Sequence, residues 1–499
     1  MSDRRRKFYV NGITLAILAL FTRSVALFFN SYVSKQIGAE GMGLFELCMI
    51  VYSFAVTFAT SGISLTVTRL TSSAIGENKE DELSRILRAS VLYSLIFSGV
   101  ATLALYFVSP YFSRVVLEDA RTVAPLRVLS FSLIPLSLSS ALSGYFVGIR
   151  RVQRNAIFSV ACQIFRVVFT IFLLSKKENI NAESGAYIIS LVMTLTEILV
   201  LFFSILQYLR YRNKNRTGKE KHFRSVSQMA LPLATSAYVR SALLTLEHSL
   251  IPQKLRESGS SHQDALSSYG VLHGMALPLV LFPMSPLSSF SGLLVPEFSE
   301  SLAMGDKKRL ERIASEALNT SLKYAVFIMC VMLLFSEELG YSVYSSFAAG
   351  RYIAFLAPVI PIMYIDHVTD AILKGIGEHI YSMWVNISDS VLSILLVMVL
   401  IPRIGIVGYA VVILVMELYN FSLSVIRLRK KIFFRIDFLN SLIIPLIFGV
   451  FASLFTRKLF APTSANTSPL WLYLEIVFLA SVILGLELIM KSIRQIRSK

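Results

Sequence analysis

SGYFVGIRRVQRNAIFSV at residues 143–160 and DAILKGIGEHIYSMWVNI at residues 370–387 follow one plan. Each has a helix end, a Gly-Ile pair, a short polar turn and a new apolar helix, with Gly148 opposite Gly375 at an offset of 227 residues. A second pair lies upstream of each: SGISLTVTRLTSSAIGENKEDEL at 61–83 resembles SGLLVPEFSESLAMGDKKRL at 291–310, at an offset of about 230. Self-similarity at a fixed long period is the mark of duplication. The reading of the whole chain follows from it.

Outward from these stretches, the sequence is a series of apolar runs. Of its 499 residues, 55% are hydrophobic and only 16% charged. The runs repeatedly approach ~20 residues, the length a helix needs to cross a ~30 Å hydrocarbon core. Barrel strands would be ~10 residues of alternating polarity, and these runs do not alternate. The expectation is an all-α, polytopic membrane protein of about fourteen helices. They fall near 10–34, 43–66, 88–110, 126–149, 155–175, 185–208, 228–251, 268–294, 316–336, 353–374, 380–401, 406–427, 438–460 and 471–490.

Basic residues test the topology, because Lys and Arg accumulate in cytoplasmic loops. With the N-terminus inside, 32 of the 48 lysines and arginines fall in inner segments, 12 in outer ones and four within spans. This asymmetry favours a multi-pass protein with both termini in the cytoplasm. The net charge of +17 then needs no nucleic-acid partner; RYRNKNRTGKEK at 210–221 reads as a loop beside anionic headgroups of membrane lipids. Cys48, Cys162 and Cys330 lie in expected spans and indicate no disulfide framework. Neither a GxxxxGK[ST] phosphate loop nor an HExxH or Cys/His cluster occurs. Without room for a soluble catalytic domain, the expectation is no enzyme, no cofactor and no bound metal.

Two polar breaks divide the chain. A six-helix half occupies 1–212, a linker 213–227, a second six-helix half 228–428, and two further helices with a basic tail 429–499. Six is even, so both halves enter the membrane in the same direction and the repeat is parallel.

The order of motifs resembles a known family. GAEGMGLFEL (38–47), SGISLTVTRLTSS (61–73) and SGYFVGIRRVQRNA (143–156) look like the oligosaccharide flippases of the multidrug/oligosaccharidyl-lipid/polysaccharide superfamily. YGVLHGMALPLVLFPMSPLSSFSGLLVPEFSES (269–301), with AILKGIGE (371–378), is similar to the stage V sporulation protein B branch, relatives of the lipid II flippase. The resemblance implies two six-helix lobes in a V, alternating access, and a polyprenyl-pyrophosphate-linked saccharide as cargo, in a bacterial cytoplasmic membrane. Cell-envelope synthases are the protein partners it suggests. Two departures stand out: Gln163 where that branch often has an acidic residue, and Glu247 where it has an aspartate. The first weakens cation or proton coupling through that position.

Charges inside spans are the candidate site. A cation at mid-bilayer costs at least ~2.5 kcal/mol unless protein or water surrounds it. Arg23, Arg240 and Arg166 on the first, seventh and fifth helices suit a pyrophosphate, since guanidinium offers bidentate donors in a fixed plane. The structural alternative is that each snorkels or pairs with a carboxylate. His273, beside Gly274 on the eighth helix, is a further substrate-side candidate. Glu247 and His248 on the seventh, and Asp366 and Asp370 four residues apart on the tenth, are candidates for gating or for coupling to Na⁺ or H⁺. Glu46, Glu197, Asp389 and Glu417 read as interhelix hydrogen-bonding carboxylates. Pro278, Pro283 and Pro286 should bend the eighth helix. Two other functions remain open: a cation-coupled multidrug antiporter of the same superfamily, and a membrane glycosyltransferase or polymerase.

Overall fold

The computed structural model describes residues 3–77, 82–149, 152–176, 180–211 and 223–460. These residues are almost all helical, with no strand among them. In chain order the helices are α1 (Asp3–Thr60), α2 (Ile63–Gly76), α3 (Leu83–Tyr111), α4 (Val123–Ser130), α5 (Leu133–Gly148), α6 (Val152–Ser175), α7 (Ala182–Tyr211) and α8 (Phe223–Glu257). They continue as α9 (His262–Tyr269), α10 (Leu277–Leu281), α11 (Ser285–Ala303), α12 (Lys307–Leu334), α13 (Ser336–Tyr344), α14 (Phe347–Leu356), α15 (Ile360–Gly375), α16 (His379–Ile404), α17 (Ile406–Lys431) and α18 (Ile444–Phe460).

The first thirteen expected spans fall on helical segments, though those near 43–66, 126–149, 268–294 and 353–374 are each divided between two or more helices, and the expected span at 471–490 lies outside the described residues. Among the described residues, eight helices are long and apolar enough to cross a membrane, or nine if the bent pair Ala120–Ser130 and Leu133–Gly148 is one span. This is a multi-pass membrane protein. The first two expected spans form a single run in α1, interrupted at Gly38, whose φ of 71° and ψ of −178° are not helical. The α6 segment Val160–Ser175 and the segment Leu439–Ala452 are apolar but short.

Inside lipid, every polar group must find a partner within the protein. Hydroxyls here bond back to their own helix, as in Thr71 Oγ1 to the Val67 carbonyl at 2.7 Å and Thr196 Oγ1 to Val192 at 2.7 Å. Others tie neighbouring helices: Ser137 donates to the Ala59 carbonyl at 2.8 Å, Thr102 to Ser130 at 3.1 Å and Thr194 to Val128 at 3.0 Å. Large apolar side chains such as Phe107 (71% exposed) and Leu103 (61%) are left for lipid.

Contacts divide the chain into two compact units, Met1–Gly270 with Ser393–Gly405, and Val271–Leu392 with Ile406–Lys499. In the first, α2, α3, α5 and the start of α8 close a core around Ile63, Val67, Tyr93, Phe146 and Val226, with Tyr93 stacked on Phe97 at 4.4 Å. In the second, α15 packs on α11, α12 and α17. There the helix with three prolines changes form: a π turn at Gly270–Ala276, then α10, a 3₁₀ turn at Phe282–Met284, then α11. Tyr364 donates to the Val280 carbonyl at 3.0 Å and Tyr324 to Pro283 at 2.6 Å, satisfying acceptors where the ladder is broken. Beyond α17, Asn319 on α12 accepts from the Asp437 backbone and the Ser441 hydroxyl, which fixes the entry to α18.

The duplication appears as a repeated contact in each unit. Ser72 Oγ donates to the Gly148 carbonyl at 3.3 Å in the first, and Ser299 Oγ to the Gly375 carbonyl at 2.8 Å in the second. Both members of the pair differ by 227 residues, so the structural register upstream is three residues shorter than the offset suggested by the Ser-Gly pairs. A Cβ on Gly148 would lie 1.7 Å from Thr71 Oγ1, and one on Gly375 would lie 2.7 Å from Phe298 Cβ. Phe298 is the 227-residue counterpart of Thr71. Both glycines therefore serve close approach of α5 to α2 and of α15 to α11.

Candidate functional site: charges along the membrane helices

Arg23 lies in the first part of α1 and Arg240 in the middle of α8, and both side chains are exposed on faces that protein packing leaves open. Next to Arg23, α1 and α6 enclose an apolar cleft of about 320 Å³ lined by Ser24, Val25, Phe28, Ile164, Val167 and Val168. Arg23 precedes one lining residue in the chain, and Arg166 sits between two others.

Arg166 is already engaged. Its Nη2 donates to Glu197 Oε1 on α7 at 3.0 Å, with side chains 20% and 16% exposed. The interhelix role expected for Glu197 is thus an ion pair holding α6 to α7. A guanidinium paired with a carboxylate in this way offers less charge to a ligand.

Glu247 on α8 is buried and accepts a 2.5 Å hydrogen bond from Ser393 on the α16 segment of the same compact unit. His248 beside it is half-buried. His273 sits within the π turn Gly270–Ala276, also half-buried; such turns add a residue to the helix and recur at functional positions.

In the second unit, Asp370 pairs with Lys374 one turn on, at 2.5 Å. Asp366 keeps one carboxylate oxygen buried without a hydrogen-bond partner. The structure adds two residues that single-helix reasoning treated separately: Asp389 on α16 and Glu417 on α17 lie within electrostatic reach of Asp366. Spacing could not have joined them, because they come from three helices. Among the described residues no group of His, Cys, Asp or Glu is arranged to hold a metal ion.

At the turn after α15, Glu378 binds Arg427 at 2.7 Å and Lys431 at 2.7 Å, clamping the start of α16 to the end of α17. Those two cations hold its carboxyl below the usual range.

Comparison with known proteins agrees with this architecture. Residues 9–302 match the family described as polysaccharide biosynthesis protein, and residues 258–399 match the MatE family. The chain is 25% identical over 422 residues to stage V sporulation protein B of Bacillus subtilis (strain 168), covering 82% of this chain and 81% of that one. It is 22% identical over 379 residues to the lipid II flippase MurJ of the same organism, covering 69% and 68%. A solved structure of lipid II flippase MurJ in an inward closed conformation superposes with a TM-score of 0.70 at 17% identity, over 96% of this chain and 98% of that one. The first match spans more than half of the sequence, and the chain therefore belongs to the polysaccharide biosynthesis protein family.

Proposed function

We propose that this protein is an alternating-access flippase that moves a polyprenyl-pyrophosphate-linked cell-envelope saccharide from the inner to the outer leaflet of a bacterial cytoplasmic membrane. The observation that carries the reading is the exposed placement of Arg23 and Arg240 within apolar membrane helices, with an apolar cleft between α1 and α6 whose lining includes Ser24, the chain neighbour of Arg23. A lipid-linked pyrophosphate has the matching chemistry: about two negative charges on the head and a hydrocarbon chain that never leaves the bilayer. Arg23 and Arg240 draw the head in, with Arg166 and His273 as secondary contacts. The two repeated halves then exchange access. The names of the relatives, a lipid II flippase and a polysaccharide biosynthesis family, support this cargo class. Both termini lie in the cytoplasm in this scheme, no covalent chemistry is required, and a cell-envelope synthase supplies or receives the cargo.

Driving force is assigned to the membrane potential or to Na⁺ or H⁺ taken up by Glu247, His248, Asp366 or Asp370. The experiment is translocation of purified lipid-linked saccharide in liposomes. A charge-assisted hydrogen bond is worth ~1.5–3 kcal/mol, so Arg23→Ala and Arg240→Ala should each slow translocation about 10- to 100-fold. Normal translocation by both variants, with confirmed insertion, would overturn the reading. A cation-coupled drug antiporter is the second reading, favoured by the MatE match and by the acidic group around Asp366. It requires proton- or sodium-driven efflux of organic cations that Asp366→Asn abolishes and Arg23→Ala spares.

A further inference from the structure

The first compact unit carries, at one end of its helices, a charged network remote from the arginines above. It joins three segments: α1 just past Gly38, the turn between α3 and α4, and the turn between α8 and α9. Arg121 is its hub, donating to Asp119 through Nε at 3.0 Å and Nη2 at 2.7 Å, and through Nη1 to Glu40 Oε1 at 2.7 Å. Each acceptor also holds one residue at the start of α9. His262 Nε2 lies 3.0 Å from Asp119 Oδ2, and Gln263 Nε2 donates to Glu40 Oε2 at 2.9 Å. Alongside, Arg256 pairs with Glu118, and the Gln253 side chain donates to the Val116 carbonyl.

The body of α9 is seated independently of these charges. Gly43 and Gly270 bring its backbone against α1, where a Cβ on Gly270 would lie 2.3 Å from the Ala39 carbonyl. The network therefore secures the turn at 257–262, which contains Gly259 at a φ of 97° with open space around it. By sequence that turn belongs to the second half of the duplication, while its partners Glu40, Asp119 and Arg121 belong to the first.

We propose that this network is a proton-responsive clasp: a protonated His262 fastens the α8–α9 turn to Asp119, and loss of that proton loosens it. Imidazole is the side chain whose charge changes between about pH 5 and 8. In its neutral form Nε2 brings at most a neutral N–H to the carboxylate; in its charged form it brings a second cation beside Arg121. Asp119 is a receptive anchor, because the carboxylate stays charged: burial opposes that charge, but Arg121 and His262 outweigh it and hold the carboxyl below its usual range. The other charged groups around the turn are Glu118 and Arg256, paired with each other, Lys254 with Glu257 at 2.6 Å, and Asp264, which accepts from Ser261 at 2.7 Å. The positive-inside orientation places this face outside the cell. The clasp rests on the flippase reading only for its consequence, that outward release of cargo requires the turn to lift.

The test uses the full chain in nanodiscs with spin labels at Ala120→Cys and Glu257→Cys, since Cys48, Cys162 and Cys330 are buried. An ion pair with one partly exposed member, like this one, shifts a closed-to-open ratio at least about two- to fivefold. The short-distance population should grow by that factor as the medium is acidified from about pH 8 to about pH 5.5. His262→Gln should abolish the change. Arg121→Gln should give the long distance throughout. A parent with no pH response, or a His262→Gln variant that retains it, overturns the proposal. His262 is 40% exposed, so its replacement leaves the fold intact even if the Arg121 variant is poorly made. No cargo is present, so failure of the clasp is distinguishable from failure of the flippase reading.

Discussion

Removing either partner of the Arg166–Glu197 pair should destabilise the protein, and by unequal amounts. The two side chains meet at 3.0 Å between α6 and α7 with about a fifth of each surface accessible. Breaking a buried ion pair by deleting one partner costs ~3–5 kcal/mol, because a charge is left without compensation. A stranded carboxylate can escape by protonating, which limits the loss for Arg166→Met to about the lower bound. A stranded guanidinium has no such escape, since it stays charged at any accessible pH. Glu197→Leu should therefore lose more, near ~5 kcal/mol, and the double variant Arg166→Met/Glu197→Leu should return close to the parent. The assay is SDS-driven unfolding in mixed micelles for the four proteins of the cycle, with translocation in liposomes alongside. A double variant as unstable as the summed singles would refute the pairing argument, as would a larger loss for Arg166→Met than for Glu197→Leu. If the double variant also flips cargo at the parental rate, Arg166 is a strut and not a cargo contact.

The duplicated helix contacts give a second test in the same micelle assay. Gly148→Ala and Gly375→Ala should each cost ~1–3 kcal/mol by overpacking, and Thr71→Ala should partly rescue the first and leave the second unchanged. The clasp gives a third, through its acid limb. Asp119 has a depressed folded-state value, so its contribution is complete above the unfolded carboxyl value of about 3.9 and disappears as pH falls through the folded value. The protonated imidazole contributes in the opposite sense, so the short Ala120–Glu257 distance should peak in mildly acid medium and decline on both sides. Asp119→Asn should flatten the entire curve, and a spin-label titration that only rises or only falls would contradict the two-group account.

Much of the fold could be read in the chain because its determinants are local or periodic. The length of each apolar run reflects bilayer thickness, and the Gly148–Gly375 match reflects a contact made twice with the same geometry. Glu197 was legible as an interhelix partner because a lone carboxylate in a span has few other options. Its partner was not, since Arg166 is 31 residues away on another helix. The acidic group around Asp366 and the clasp were hidden for a similar reason. Glu40, Asp119, Arg121 and His262 are ordinary loop charges until tertiary structure superimposes three turns. The one available hint was that Asp119 and Arg121 stand two residues apart in a short outer loop, where a side chain can cap its own turn. That the cap would recruit α1 and α9 has no sequence signature.

Gly38 bears on how this protein would respond to random mutation. Its backbone lies at a φ of 71° and ψ of −178°, a combination essentially restricted to glycine, yet a Cβ there would meet nothing within 4 Å. Every substitution consequently carries the same penalty of ~1–3 kcal/mol whatever the size or charge of the new side chain. A saturation scan would score the position as uniformly intolerant, the profile usually taken as the signature of a ligand contact. Conformational strain and cargo binding would look alike in such data, and only the flat dependence on side-chain chemistry at Gly38 would tell them apart.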